Sequence, residues 1–328
     1  MRRGRRFERS QVRAVPSPLP AGVNGQEATL RPIVLITGLR GFTGRYLDAT
    51  LRTRGARVVG LVQGVAQGPD EVACDLTDAA SLREAVARVQ PTHVAHLAAL
   101  SFVGHGDARA FYDVNLFGTL NLLESLAALP VPPGKVLIAS SANVYGTPGV
   151  EVIDESVCPA PVNHYANSKL AMEHMARTWF ERLPIVMTRP FNYTGVGQDE
   201  KFLIPKIVSH FKRRAPFIEL GNLDVSRDFS DVRDVATMYT ALLLDAEGVE
   251  GQTLNVCSGR AHSLRDILGM AERICGHSVE IRVNPAFVRA NEVPRLLGSG
   301  RKLQHYTGLT PQIPMEQTLR WMLNGESP

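Results

Sequence analysis

The stretch Ile33-Val-Leu-Ile-Thr-Gly-Leu-Arg-Gly-Phe-Thr-Gly44 decides the fold. Its first four residues are a continuous β-branched and leucine run, the composition of a strand buried on both faces. Gly38, Gly41 and Gly44 follow at three-residue spacing, and an amphipathic helix is expected from Phe42 to Arg54. Glycines let the backbone turn tightly and approach a pyrophosphate, and a helix N-terminus offers unpaired N–H groups and a positive dipole end. A glycine triplet alone is weak evidence. Here it closes a hydrophobic strand, opens a helix and heads a long βα series, which points to a dinucleotide.

The 328 residues are 44% hydrophobic and 21% charged, an ordinary globular composition that suits a large α/β domain with a smaller lobe. No apolar run approaches the roughly 20 residues of a membrane span. Cys74, Cys158, Cys257 and Cys275 are scattered with no C-x-x-C pair, which reads as reduced thiols in a cytoplasmic protein rather than a disulfide framework or zinc site. The net charge of +4 does not indicate nucleic acid. Residues 1–31 hold seven arginines against Glu8 and Glu27, so +4 less this +5 leaves the remainder at −1. Residues 1–30 lack hydrophobic periodicity and are expected to be a disordered basic leader, either an over-extended start or a real tail. An Arg-Arg pair occurs there, but no apolar segment follows it as in a secretory signal.

After the glycine loop, residues 57–63 and 71–74 read as strands, and 79–89 as a helix with Asp78 as N-cap. Residues 92–99 form a strand ending in small residues, Ala98 and Ala99, over which a cofactor could lie. His93 and His96 fall on opposite faces of that strand, which argues against a metal. A single helix is expected over 108–128, with Val114, Phe117, Leu120, Leu123 and Leu126 as a buried stripe. Residues 135–139 form a strand ending in Ser140-Ser-Ala-Asn-Val-Tyr-Gly146, hydroxyls at the end of a parallel strand where ligands bind. A helix over 164–182 carries Tyr165 and Lys169 one turn apart. An ammonium beside a phenol would lower the tyrosine pKa from about 10, giving a proton donor suited to carbonyl reduction. Residues 184–188 form the next strand. Beyond it the alternation becomes irregular, with helices over 201–214, 232–244, from the Ser263 cap to 275, and 314–323, and a core strand over 253–257.

The second strand ends in Val62-Gln63-Gly64, without the acid that usually binds the adenosine ribose, and Arg40 sits in the glycine loop. This combination favours NADP(H), with NAD(H) as the second choice.

Several separated motifs agree in order. Thr37-Gly-x-x-Gly-Phe-x-Gly44, Asp75-Leu76, His96-Leu-Ala-Ala99, Asn115-x-x-Gly118-Thr119, Ser140-Ser-x-x-Val-Tyr-Gly146 and Tyr165-x-x-x-Lys169 resemble the extended short-chain dehydrogenase/reductases over about residues 31–323. The resemblance implies a Rossmann-type doubly wound parallel sheet with a smaller mixed α/β C-terminal substrate domain. Residues 31–190 would bind NAD(P), with 228–260 returning to that domain, and 191–227 and 261–328 would bind a nucleotide sugar. It implies Ser141, Tyr165 and Lys169 as catalytic. Gly38, Arg40, Gly41, Phe42, Thr43, Gly44, Asp75, Leu76, Leu97, Ala98, Ala99 and Asn115, with Tyr165 and Lys169, would bind the cofactor. No metal is implied, and a homodimer built on the 108–128 and 164–182 helices is.

The family's sugar 4,6-dehydratases carry an acid after the catalytic hydroxyl residue, where this chain has Ala142 and Asn143. Arg189-Pro-Phe-Asn-Tyr-Thr-Gly-x-Gly-Gln198, Asp224-Val-Ser-Arg-Asp-Phe-x-Asp-Val-Arg-Asp-Val235, Asn255-Val-Cys-Ser-Gly259 and Arg295-x-x-Gly-Ser299 are similar to the GDP-mannose branch of the family. That resemblance implies reduction of the C4 keto group of a GDP-4-dehydro-6-deoxy-D-mannose-like sugar to GDP-D-rhamnose. Ser141, Asn143, Asn192, Arg227 and Arg295 are the expected substrate contacts, guanidinium forks being suited to phosphate oxygens. The alternatives are a nucleotide-sugar 4-epimerase with retained NAD and, from another class, a non-enzymatic NADP-binding regulator.

Overall fold

The computed structural model describes residues 31–103, 106–287 and 294–325. The expected disorder of residues 1–30 lies outside these. In chain order the strands are β1 (Ile33–Thr37), β2 (Arg57–Val62), β3 (Glu71–Ala73), β4 (His93–His96), β5 (Lys135–Ala139), β6 (Ile185–Pro190), β7 (Asn192–Thr194), β8 (Phe217–Leu220), β9 (Ser226–Asp231), β10 (Thr253–Val256), β11 (Ala261–Ser263), β12 (Glu280–Val283) and β13 (Arg295–Leu296). The helices are α1 (Phe42–Thr53), α2 (Ala79–Val89), α3 (Ala108–Tyr112), α4 (Gly118–Ala127), α5 (His164–Arg177), α6 (Leu203–Lys212), α7 (Val232–Leu244), α8 (Leu264–Cys275), α9 (Arg301–Thr307) and α10 (Met315–Asn324).

Among the described residues, a parallel sheet runs in the order β3-β2-β1-β4-β5-β6-β10. The strand order reverses at β1, where Thr37 lies opposite Leu61 of β2 and His96 of β4. Successive β1 side chains serve opposite layers, as strand pleating requires. Val34 and Ile36 pack with Leu47 of α1, Met238 of α7 and Leu303 of α9. Leu35 packs with Leu82 of α2, Leu123 of α4 and Met172 of α5. Both faces are covered, so the strands read as unbroken apolar runs. This is the doubly wound Rossmann-type sheet expected from the sequence.

A separate core is formed by Ile207 and Phe211 of α6, Ile267 and Leu268 of α8, Leu319 and Met322 of α10, and Ile218 of β8. Beside it, β9 pairs with β7, β11 and β13, and β8 pairs with β12. No helix among the described residues is long and apolar enough to cross a membrane.

Local signals act as expected at several ends. Asp78 accepts hydrogen bonds from the Ala80 and Ser81 amides, and Ser263 forms a reciprocal capping box with Asp266. Two helices differ from expectation. The 108–128 segment is split by a π-helical turn, Asp113–Phe117, between α3 and α4. The extra residue rotates the apolar face, so Phe117 of the expected stripe is 52% exposed while Asn115 points inward. The second helix, α5, ends at Arg177, after which tighter turns run from Ala176 to Arg182.

Two glycines fix how α1 meets the sheet. Gly38 has φ +76°, and an added Cβ there would lie 3.0 Å from Ala98 backbone atoms. A Cβ on Gly44 would lie 2.3 Å from the Gly38 carbonyl oxygen and 2.5 Å from that of Leu39. Those contacts are backbone and cannot swing away. Gly44→Ala is therefore expected to destabilise the protein by at least about 2 kcal/mol in urea unfolding, at the upper end of overpacking costs. An unchanged midpoint would show that the turn has more room than this packing allows.

Candidate functional site

At the carboxyl ends of the parallel strands, beside the point where the strand order reverses, lies a cavity of about 620 Å³. Clefts of this kind at a topological switch point are where open α/β sheets bind ligands. Gly38, Gly41, Phe42, Thr43 and Gly44 line one end. No side chain caps the N-terminus of α1 and its first turn holds no acid, so its amides and positive dipole end are available to an anion. Asp75 and Leu76 line the wall beyond β3, and Leu97, Ala98 and Ala99 the wall beyond β4. These expected residues come together as one cradle, and its close backbone packing and uncapped helix end fit a dinucleotide.

Two expected cofactor contacts do not line this cavity. Arg40 turns to Glu71, with Nε 2.9 Å from Oε1, and donates through Nη2 to the Val65 carbonyl at 2.8 Å. The guanidinium and the Gln67 amide hold the Glu71 carboxyl down to about 2. Asn115 is fully buried, because the π turn swings it inward. Its Oδ1 accepts from the Leu100 amide at 2.9 Å, and its Nδ2 donates to the Leu100 carbonyl and to Ser168 Oγ. Asn115 thus ties the loop after β4 to α5 and supports the cavity wall from behind.

Ser141, Tyr165 and Lys169 all line the cavity, and all are buried. Ser141 stands at the start of a 3₁₀ turn, Ala142–Tyr145, that follows β5, and its hydroxyl lies beside the Tyr165 phenol. Lys169 Nζ donates to the Ala139 carbonyl at 2.7 Å. Here the electrostatics differ from the expectation of a lowered tyrosine pKa. Burial raises the Tyr165 phenol to about 12, with the Ser141 hydroxyl only partly offsetting this. Burial also lowers Lys169 to about 8, against an upward pull from Glu173. In a dry site desolvation outweighs the expected ammonium effect. His96 is held between the Thr37 and Thr119 hydroxyls at 2.7 and 2.8 Å, and burial brings it down to about 3.

Of the expected substrate contacts, Ser141, Asn143 and Asn192 line the cavity. Arg227 and Arg295 do not. Arg227 donates to the Ser226 carbonyl at 2.9 Å, and Arg295 is an exposed partner of Glu151 at 3.4 Å. Both follow the β9–β13 pairing, which directs their guanidinium groups to neighbouring backbone and surface acid. The sequence reading missed the segment 197–202, whose Gln198, Lys201 and Phe202 line the cavity. It also missed Tyr193, whose hydroxyl is 2.7 Å from Thr43 Oγ1 and whose ring stacks on Phe42 at 6.0 Å. This contact joins the cofactor end of the cavity to the β6–β7 segment. An aromatic inside an already recognised motif was the available signal.

Comparison with known proteins gives a consistent picture. The family model described as GDP-mannose 4,6 dehydratase matches residues 35–322. A GDP-6-deoxy-D-talose 4-dehydrogenase of Aggregatibacter actinomycetemcomitans is 38% identical over 84% of this chain and 91% of its own length. A GDP-6-deoxy-D-mannose reductase of Pseudomonas aeruginosa is 35% identical over 89% of this chain and 96% of its own. The structure of RMD from Pseudomonas aeruginosa complexed with NADPH superposes with TM-score 0.78 at 33% identity, covering 90% of this chain and 97% of that one.

Proposed function

The chain belongs to the GDP-mannose 4,6-dehydratase family of extended short-chain dehydrogenase/reductases, and we propose that it reduces the C4 keto group of a GDP-4-dehydro-6-deoxy-D-mannose-like nucleotide sugar, giving GDP-D-rhamnose. One observation carries this reading. Ser141, Tyr165 and Lys169 share a cavity wall, while Ala142 and Asn143 stand where elimination of water would need an acid. The site has the groups for carbonyl reduction and lacks the general acid of a dehydratase.

The residues of this chain divide the work as follows. The α1 N-terminus and its glycines would hold the pyrophosphate of NADP(H), the favoured cofactor, with NAD(H) as the second choice. When bound, its reduced nicotinamide supplies hydride. Ser141 hydrogen-bonds the C4 carbonyl oxygen, and Tyr165 donates its phenolic proton to that oxygen as it becomes an alkoxide. A donor aimed at a developing oxyanion is worth about 3 kcal/mol. Lys169, as an ammonium, would hold the nicotinamide ribose. Asn143 and Asn192 orient the sugar. A homodimer on the α3, α4 and α5 faces is part of the proposal, supported by the exposure of Phe117. Cytoplasmic location is supported by four free thiols.

Three outcomes follow. Tyr165→Phe should lower turnover at least about a hundredfold with cofactor binding retained, and near-normal steady-state turnover would remove the assignment. In the free enzyme Lys169 is an ammonium below about pH 8 and Tyr165 a phenol until about 12. The pH profile of kcat/KM should therefore fall on one basic limb near pH 8, and a flat profile to pH 10 would contradict these roles. Glu71→Gln should release Arg40 and remove a negative charge beside the end of β2. Calorimetric titration should then show adenosine 2′,5′-bisphosphate binding more tightly and AMP unchanged. Equal affinities before and after would show that the Arg40–Glu71 pair has no part in cofactor choice.

A further inference from the structure

Helix α5 presents Tyr165, Lys169 and Glu173 at successive four-residue steps, one stack on one face. All three are buried, and Glu173 is completely so. Its carboxylate accepts from Ser140 Oγ at 2.6 Å and from Arg189 Nε and Nη2 at 2.9 and 2.6 Å. Arg189 in turn lies 4.7 Å over the Tyr145 ring, whose hydroxyl donates to Asn255 at 2.8 Å. A buried ion pair of this kind adds little net stability, because desolvation offsets the attraction. What it does provide is fixed geometry. Ser140 is the covalent neighbour of Ser141, and its amide donates to Thr188 at 2.7 Å. Its side chain and its backbone are thus held from two directions. Because Arg189 and Ser140 occupy the carboxylate, Lys169 is not drawn into a direct salt bridge and instead has the Ala139 carbonyl as its partner.

We propose that Glu173 is a positioning residue for the hydride-transfer site: clamped by Arg189, it fixes the Ser140–Ser141 turn and stands as an immobile counter-charge one helical turn from Lys169. The proposal rests on the reading of Ser141, Tyr165 and Lys169 as the reacting set. It does not depend on which nucleotide sugar they reduce. The titratable groups around this core are Tyr165 and Glu173 on α5, His96 on β4, Arg189 on β6, Tyr145 in the 3₁₀ turn, Tyr193 on β7 and Tyr239 on α7. The His96 imidazole and the phenols stay neutral at working pH, and Arg189 is committed to Glu173 and the Tyr145 ring. Glu173 is the charge that favours the ammonium.

The test compares wild type, Glu173→Gln and Ser140→Ala by fluorescence titration of NADPH binding against pH, with kcat measured alongside. NADPH binding is read without any sugar, so it stands even if the sugar specificity is wrong. In wild type, NADPH binding should weaken as pH rises through about 8. In Glu173→Gln that midpoint should move down by about one pH unit, and kcat should fall about tenfold. Ser140→Ala should lower kcat with the midpoint unmoved, because the charge is intact. If Glu173→Gln leaves Arg189 unpaired and fails to fold, the double variant Glu173→Gln, Arg189→Gln removes both charges and should keep the lowered midpoint. A folded Glu173→Gln or double variant with the wild-type midpoint, or a Ser140→Ala enzyme with wild-type kcat, would overturn the proposal. A wild type that binds NADPH with this pH dependence but reduces no GDP-sugar would fail the reductase reading and leave Glu173's role standing.

Discussion

The structure depends on one backbone contact: the approach of α1 to the turn that leaves β1. Gly44 sits so close to the Gly38 and Leu39 carbonyls that no side-chain atom fits between them. That approach points the N-terminus of α1 into the cavity at the carboxyl ends of β1 and β4. It also packs Leu47 and Leu51 onto Val34 and Ile36 from one side, while Leu35 is covered from the other. The anion-binding helix end and the apolar core are two consequences of the same close packing.

Around that frame the chain buries an unusual set of polar groups. Thr37, His96 and Thr119 form one chain of hydrogen bonds across β1, β4 and α4. Ser140, Glu173 and Arg189 form another across β5, α5 and β6. Asn115 forms a third between the β4 loop and α5. Buried polar networks are costly when incomplete, and these are satisfied. Each ends within a residue or two of a cavity wall. Rigidity is concentrated where a carbonyl and a proton donor would have to be held in register.

Much of this was legible in the sequence. The Ile33–Gly44 stretch, the βα alternation and the Asp78 and Ser263 caps are local signals, and local physics decides them. Spacing puts Tyr165 and Lys169 on one helix face, the family resemblance adds Ser141, and all three line the cavity. What sequence could not give was tertiary. The π turn at Asp113–Phe117 has no propensity signature, and with it Asn115 faces inward to Leu100 and Ser168. Arg40 lies in the glycine loop, yet its orientation was set by Glu71, thirty-one residues away. The expected lowering of the Tyr165 pKa failed because spacing reveals proximity and not burial. Arg227 and Arg295 looked suited to phosphate, but strand pairing aimed them elsewhere.

The measurement that bears most directly on the account uses GDP-4-dehydro-6-deoxy-D-mannose, generated from GDP-mannose by a separate dehydratase. Purified protein and NADPH are added, loss of reduced-nicotinamide absorbance is followed, and the product is examined by NMR. The account predicts consumption matched one to one by GDP-D-rhamnose, more efficient with NADPH than with NADH. Stoichiometric formation of GDP-6-deoxy-D-talose would contradict the assigned C4 configuration. No consumption, together with nicotinamide retained on the protein and nucleotide sugars interconverted at C4, would contradict the reductase and establish an epimerase.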